Sequence, residues 1–294
     1  MKKLFFTSVI FLLSSLLYGQ LPDTDIWLMD VTSVKDSIVL SNPVNLTNRK
    51  GYDSQPAFSP EGTYLLYTSI RDDNQSDIYK YDLKTKNITQ VTKTKTSEYS
   101  PTFMPDGKNI SVVMVEPDST QRLWKFPING GEPVCIMKNI DSIGYHCWIN
   151  KDNVALIMIT EPPTLETADV NSQKFKLITT NVSRCIQPRN DHKGFYYLKN
   201  NLGKDSTWKF SDNYKTIVSD VYLPSGSQDY YCFEAKKNTT VIAYGDKTFI
   251  KIISKNKAKV ICKKDLSNFG ITHITRLAIS PNGKKLVFVA ESNK

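Results

Sequence analysis

Three histidines, His146, His192 and His273, are the imidazoles of this 294-residue chain. With Asp53 and Glu98 they are the residues whose types could assemble a metal-assisted site, in which several imidazole and carboxylate donors converge on one cation. The three histidines fall at different points of the local sequence pattern, which argues against a shared site. Five cysteines, Cys135, Cys147, Cys185, Cys232 and Cys262, are odd in number and contain no close pair, so they fit neither a zinc knuckle nor a disulfide framework. They read as small buried hydrophobes. No G-x-S-x-G elbow occurs. The expectation is therefore no catalytic residue, no metal and no cofactor.

The elements that would hold such residues follow from one stretch, Tyr52 to Tyr67, which reads as strand, turn, strand. Pro60 presets φ for the first corner and Gly62 supplies the positive φ that closes the turn, while Thr63 to Tyr67 is β-branched and aromatic. A third strand follows at Asp77-Ile78-Tyr79-Lys80-Tyr81-Asp82 and a fourth near Ile88 to Thr92. Copies begin at Glu98, with Met104-Pro105-Asp106-Gly107, and at Thr275, with Ser280-Pro281-Asn282-Gly283. Weaker copies surround Tyr145 to Asn150, Arg184 to Pro188 and Tyr231 to Ala235. Anchored on Pro60, they fall at positions 60, 105, 150, 188, 235 and 281. A period of roughly 40 to 50 residues with four strands per unit predicts a β-propeller.

Two columns of the repeat carry the packing. A large one holds Phe58, Phe103, Trp148, Ile186, Phe233 and Ile279, and a small one holds Ala57, Thr102, Cys147, Cys185, Cys232 and Ala278. Alternate strand residues face opposite neighbours, and the wedge near the axis leaves room for only a small side chain on one face. All three cysteines of the small column are expected to be buried and unpaired. The last unit ends after its second strand, whereas Asp25 to Asp30 matches Asp77 to Asp82 at the front. The N-terminal strand should join the C-terminal unit, which gives an all-β, six-bladed propeller of four-stranded blades over residues 21–294, as one domain.

The Ser-Pro-Glu/Asp-Gly-like turn, the apolar strand after it and Asp-Ile-Tyr beyond resemble the TolB-type propeller repeat from Asp25 to Asn293. No Trp-Asp dipeptide of the WD40 kind occurs. The resemblance implies a propeller without the additional α/β domain of TolB.

Residues 1–19 carry Lys2 and Lys3, then an apolar run to Leu17 and a small residue at Gly19, the pattern of a cleaved export signal. The product is expected to be periplasmic or secreted, with no stable membrane span. The formal net charge of +9 becomes +7 without Lys2 and Lys3, since 38 − 2 − 29 = 7. Its lysines are scattered along turns and outer strands as a solvated rim, which does not suggest a nucleic-acid partner. The positions where inner strands begin vary from unit to unit: Asp53, Gln55, Glu98, Ser100, Tyr145, His146, Arg184, Gln228, Tyr230 and Arg276. A repeat that keeps its packing columns while diversifying one ring is built as a binding platform. The function expected is a monomeric, non-catalytic scaffold that binds an envelope protein or lipoprotein across one face. The alternatives are a metal-dependent propeller lyase or lactonase, with His146 and His273 joining Asp53 and Glu98 at the channel mouth, and a glycan-binding module.

Overall fold

The strands pair as the repeat predicts because each unit supplies two-faced apolar strands separated by turns that specify their own geometry. The computed structural model describes residues 21–293 apart from 36, 73, 130, 190–193, 201–206, 213–216, 225–228, 237–238 and 255–258. Residues 1–20, which include the stretch read above as an export signal, and His192 and Gln228 thus lie outside the described residues. Among the described residues the strands form six four-stranded antiparallel sheets and one short 3-10 turn at Ser267–Phe269. The architecture is a β-propeller of four-stranded blades. We number the sheets in chain order from the one that begins at Asp53. Their innermost strands are Asp53–Phe58, Ser97–Phe103, Ile143–Trp148, Val182–Pro188, Tyr230–Lys236 and Ile271–Ile279.

The N-terminal strand Thr24–Val34 completes the sixth sheet. It lies beside Lys285–Ser292, with Asp25 opposite Ala290 and Asp30 opposite Lys285, and carries Ser37–Asn45 on its outer edge.

Among the described residues six hydrophobic clusters each combine residues of two successive sheets, and one of them joins the sixth to the first through Ile26, Val287 and Val289 against Leu65 and Tyr67. A sheet buried on both faces in this way reads as a near-continuous apolar run rather than an alternation. Leu65-Leu66-Tyr67 and Leu286-Val287-Phe288-Val289-Ala290 are fully or almost fully buried for this reason.

Side chains complete the tight turns. Ser59 Oγ accepts from the Thr63 amide at 3.1 Å, and Ser280 Oγ accepts from the Lys285 amide at 2.9 Å. Asp106 Oδ1 accepts from the amides of Lys108 and Asn109 at 2.8 and 2.9 Å, and Asn150 Oδ1 accepts from Asp152 and Asn153 at 2.9 Å each. Gly62, Gly107 and Gly283 have φ of 68°, 65° and 68°.

The outer strands of the sixth and first sheets are locked by one recurring motif. Thr47 Oγ1 accepts from the Ile26 amide at 3.0 Å, and Thr92 Oγ1 accepts from the Ile78 amide at 2.8 Å. Asn45 Nδ2 donates to Asp25 Oδ2 at 2.9 Å, and Gln90 Nε2 donates to Asp77 Oδ2 at 3.0 Å. The Asp-Ile-Trp and Asp-Ile-Tyr triplets are thus sites where a carboxylate and a threonine hydroxyl tie the fourth strand to the third.

The middle units correct the sequence alignment. In the fourth sheet Pro188 opposes Phe195 as Phe58 opposes Leu65, so this unit sits two residues later than the Pro60 anchor implies. A two-residue slip keeps every side chain on its face. In the fifth sheet the slip is one residue, which reverses the faces. Phe233 packs toward the sixth sheet, whereas Phe58 and Trp148 pack toward the preceding sheet, and Cys232 packs against Tyr196 and Leu198 of the fourth. Cys147 faces the fourth sheet from the opposite side, so Cys147 and Cys232 do not share a column. Both are buried, but Cys185 is only half-buried, and none of the five cysteines forms a disulfide among the described residues.

A Cβ built on Gly107 would meet no heavy atom within 4 Å. Gly107→Val should therefore destabilise through backbone strain alone, by about 1 to 3 kcal/mol. Chemical denaturation reads this as a shifted midpoint with an unchanged slope; an unshifted midpoint would contradict it.

Candidate channel-mouth site

The innermost strands surround a cavity of about 620 Å³. Strand geometry gives this space two unlike ends. Where the inner strands begin, Gln55, Ser100, Tyr145, His146, Arg184, Tyr230 and Arg276 line it; where the sixth ends, the lining is the Ser280–Gly283 turn. The structure thus brings together seven of the ten ring residues singled out in the sequence. Asp53 and Glu98 lie outside the lining and are fully buried.

Four sheets contribute to one charged group at the beginning end. Asp229, buried just ahead of the fifth inner strand, places Oδ2 3.6 Å from both Arg184 Nη2 and Arg276 Nη1. Arg276 Nη2 donates to the Tyr145 hydroxyl at 3.2 Å, and its guanidinium lies 5.1 Å from the centre of that ring. Arg184 Nη2 donates to the Thr275 carbonyl at 2.8 Å. These contacts run from the sixth sheet to the third and from the fourth to the sixth, so they cross the mouth rather than follow the wall. Two guanidinium groups face one carboxylate. The charge surplus is positive in a partly desolvated space, where Coulomb interactions are stronger than in water.

Glutamine side chains bridge neighbouring inner strands, which no sheet ladder joins. Gln55 Oε1 accepts from the Ser100 amide at 2.8 Å and from Thr68 Oγ1 at 2.7 Å. Gln187 accepts from the Cys232 amide and donates to its carbonyl, both at 2.7 Å. Gln55 and Ser100 hold φ of 57° and 56°, a conformation uncommon for residues other than glycine. Each sits within a register irregularity of its strand. Sequence reasoning missed Asp229 and Gln187. For Gln187 a signal existed, since it precedes Cys232 by the same 45 residues that separate Gln55 from Ser100.

The metal-site alternative does not assemble. His146 is buried with Nε2 2.7 Å from Ser111 Oγ, which also accepts from Trp148 Nε1 at 2.9 Å. Burial pushes the imidazole pKa down to about 3, so it is neutral. His273 is exposed and lies 3.5 Å from Glu291. Asp53 is 3.7 Å from Arg49, and burial raises its pKa against the pull of nearby Arg49 and Arg71. Glu98 accepts from the hydroxyls of Thr94 and Thr96. Burial, with a smaller push from Asp77, raises its pKa to about 7 against those hydrogen bonds. Among the described residues no three His, Cys, Asp or Glu side chains converge as a metal site would require.

No protein-family model matches this sequence, and no curated protein matches it. The fold is nevertheless shared with solved structures. TolB from Acinetobacter baumannii aligns over 92% of this chain at 15% identity with a TM-score of 0.60, and the chain spans 65% of that protein's length. A putative TolB from Agrobacterium tumefaciens aligns over 93% of this chain and 99% of its own, at 12% identity and a TM-score of 0.64. An oligogalacturonate lyase in complex with manganese aligns over 88% of this chain and 83% of its own, at 11% identity and a TM-score of 0.50. At these identities the likeness establishes a propeller fold of the TolB kind.

The two buried groups set opposite pH ramps. Glu98 has its folded pKa above its ordinary value, so its protonated form favours folding and stability falls as pH rises from about 4.5 to 7. His146 has its folded pKa below its ordinary value, so stability is lost as pH falls from 6.5 toward 3. Glu98→Gln should remove the first ramp. The slope of unfolding free energy against pH then becomes more positive between pH 4.5 and 7, by at most about 1.4 kcal/mol per pH unit. Urea titrations across this range check it; an unchanged slope would show that Glu98 does not titrate there.

Proposed function

We propose that this chain is an exported, six-bladed TolB-like propeller that acts as a monomeric, non-catalytic scaffold in the bacterial cell envelope and binds a protein or lipoprotein at the channel mouth. The observation that carries the reading is the Arg184–Asp229–Arg276–Tyr145 constellation. Side chains from four blades meet across an opening whose frame is fixed by packing on every side. Recognition groups mounted in this way bind with little reorganisation, because the cost of ordering them has already been met in folding. The TolB neighbours favour an envelope setting, and the basic start and apolar run of residues 1–19 favour export. Among the described residues no helix is long and apolar enough to cross a membrane.

The lyase reading draws on the manganese-bound neighbour. It asks for converging donors, whereas His146 is engaged with Ser111 and Asp53 and Glu98 sit behind the wall. A glycan module would use a free aromatic face, and Tyr145 already carries Arg276 against its ring.

A photo-crosslinking residue in place of Tyr145 tests the proposal in native envelope fractions. A discrete protein adduct from Tyr145, absent when the same group replaces exposed Lys84 on the rim, is the expected result. Adducts of equal yield at both positions, or none at Tyr145, would count against a mouth-directed scaffold.

A further inference from the structure

We infer that the channel mouth is a receptor for a carboxylate of the partner polypeptide, and that Asp229 holds the place of that carboxylate in the free protein. The inference rests on the scaffold reading and adds the chemistry that is recognised.

Arginine pairs select carboxylates because each guanidinium offers a planar fork of donors that matches two carboxylate oxygens at about 2.7 to 2.9 Å. Asp229 does not use this geometry. Its Oδ2 stands 3.6 Å from both guanidinium nitrogens, beyond hydrogen-bonding distance, and makes no hydrogen bond among the described residues. Arg184 Nε is likewise buried without a hydrogen-bond partner among the described residues. Donors are therefore held in place, charged, and only loosely compensated beside a cavity large enough for a peptide side chain or chain end. Ser100 Oγ, another buried cavity-lining atom without a partner there, adds a neutral group to the same ring.

Asp229 is what makes an empty receptor tolerable. Two arginines drawn to one carboxylate in a partly desolvated mouth repel each other, and that carboxylate offsets much of the repulsion without satisfying their forks. A ligand carboxylate that enters can make the short bonds that Asp229 does not. The Tyr145 hydroxyl occupies one Arg276 donor at 3.2 Å, a length at which exchange for a charged acceptor is favourable. A peptide source is favoured over a sugar acid because the aromatic face nearest the arginines is covered by Arg276 itself.

The test uses the mature protein and three probes at constant ionic strength: an N-acetylated Ala-Glu-Glu peptide, its N-acetylated, C-amidated Ala-Gln-Gln analogue, and digalacturonate. Binding is read by amide chemical-shift titration. The acidic peptide should shift resonances around the mouth, and the amide analogue should not. Arg184→Gln and Arg276→Gln should each weaken the acidic peptide about ten-fold. Asp229→Asn should tighten it several-fold, since the internal competitor is gone; a purely structural aspartate would not do this. Tyr145→Phe, which frees an Arg276 donor without changing charge, should tighten or preserve binding and serves if Asp229→Asn does not fold. Equal shifts with the amide peptide, tighter binding of digalacturonate, or weaker binding in folded Asp229→Asn would overturn the inference. In the crosslinking assay, partner capture that survives Arg276→Gln would remove the carboxylate reading and leave the scaffold intact. Peptide binding without any captured partner would do the reverse.

Discussion

Everything in this fold depends on sheets that are apolar on both faces and so cannot keep their cores alone. Among the described residues each hydrophobic cluster straddles two sheets, and none is internal to one. Burial of roughly 1.5 to 3 kcal/mol per large apolar side chain is therefore collected only when neighbours are present on both sides. A linear stack would leave two such faces in water. The cluster between Ile26, Val287 and Val289 of the sixth sheet and Leu65 and Tyr67 of the first removes them, which makes the Thr24–Val34 strand central to the ring although it comes first in the chain.

The same architecture creates a polar problem near the axis. Inner strands of adjacent sheets approach one another, but the sheet ladders do not join them, so their buried backbone groups need side-chain partners. Gln55 and Gln187 supply them, each reaching the strand that begins the next unit. Acids just ahead illustrate how the local partner decides the outcome. Asp53 and Glu98 occupy equivalent positions 45 residues apart, and so do Arg49 and Thr94. In the first copy a guanidinium stands beside the carboxylate. In the second the hydrogen-bond donors are hydroxyls, each worth about 1 kcal/mol, against a desolvation cost of several kcal/mol for a buried charge, and Asp77 adds a smaller like-charge push. The pKa of Glu98 rises to about 7.

Much of this was legible in the sequence because propeller packing repeats. The Pro-Glu-Gly, Pro-Asp-Gly and Pro-Asn-Gly turns and the match of Asp25–Asp30 to Asp77–Asp82 led directly to the strands and the closure now seen. The middle units resisted for a definite reason. Their turns lack the Pro-x-Gly marker, and an alignment then rests on hydrophobicity, which two-faced sheets distribute almost evenly along a strand. Nothing apolar in Tyr230-Tyr231-Cys232-Phe233 says which residue faces which neighbour, so a one-residue slip went undetected there. The ring of variable residues was legible as positions but not as contacts. Asp53 and Glu98 share the ring's register, yet they turn into the wall.

The cross-channel contacts reveal why position alone could not identify the site. Arg276 meets Tyr145 from 131 residues away and Arg184 meets Thr275 from 91. Neither separation is a single repeat, because these partners are not neighbours around the ring. Adjacent blades are related by the period, and their contacts can be read from it; groups that reach over the opening are related only by the closed circle. The charged mouth is thus a property of the ring rather than of any unit. Packing keeps each strand in place, while the identity of what spans the opening is set by a few long side chains that the packing does not constrain. A chain can in this way retain the propeller at very low sequence identity and still present chemistry of its own at the mouth.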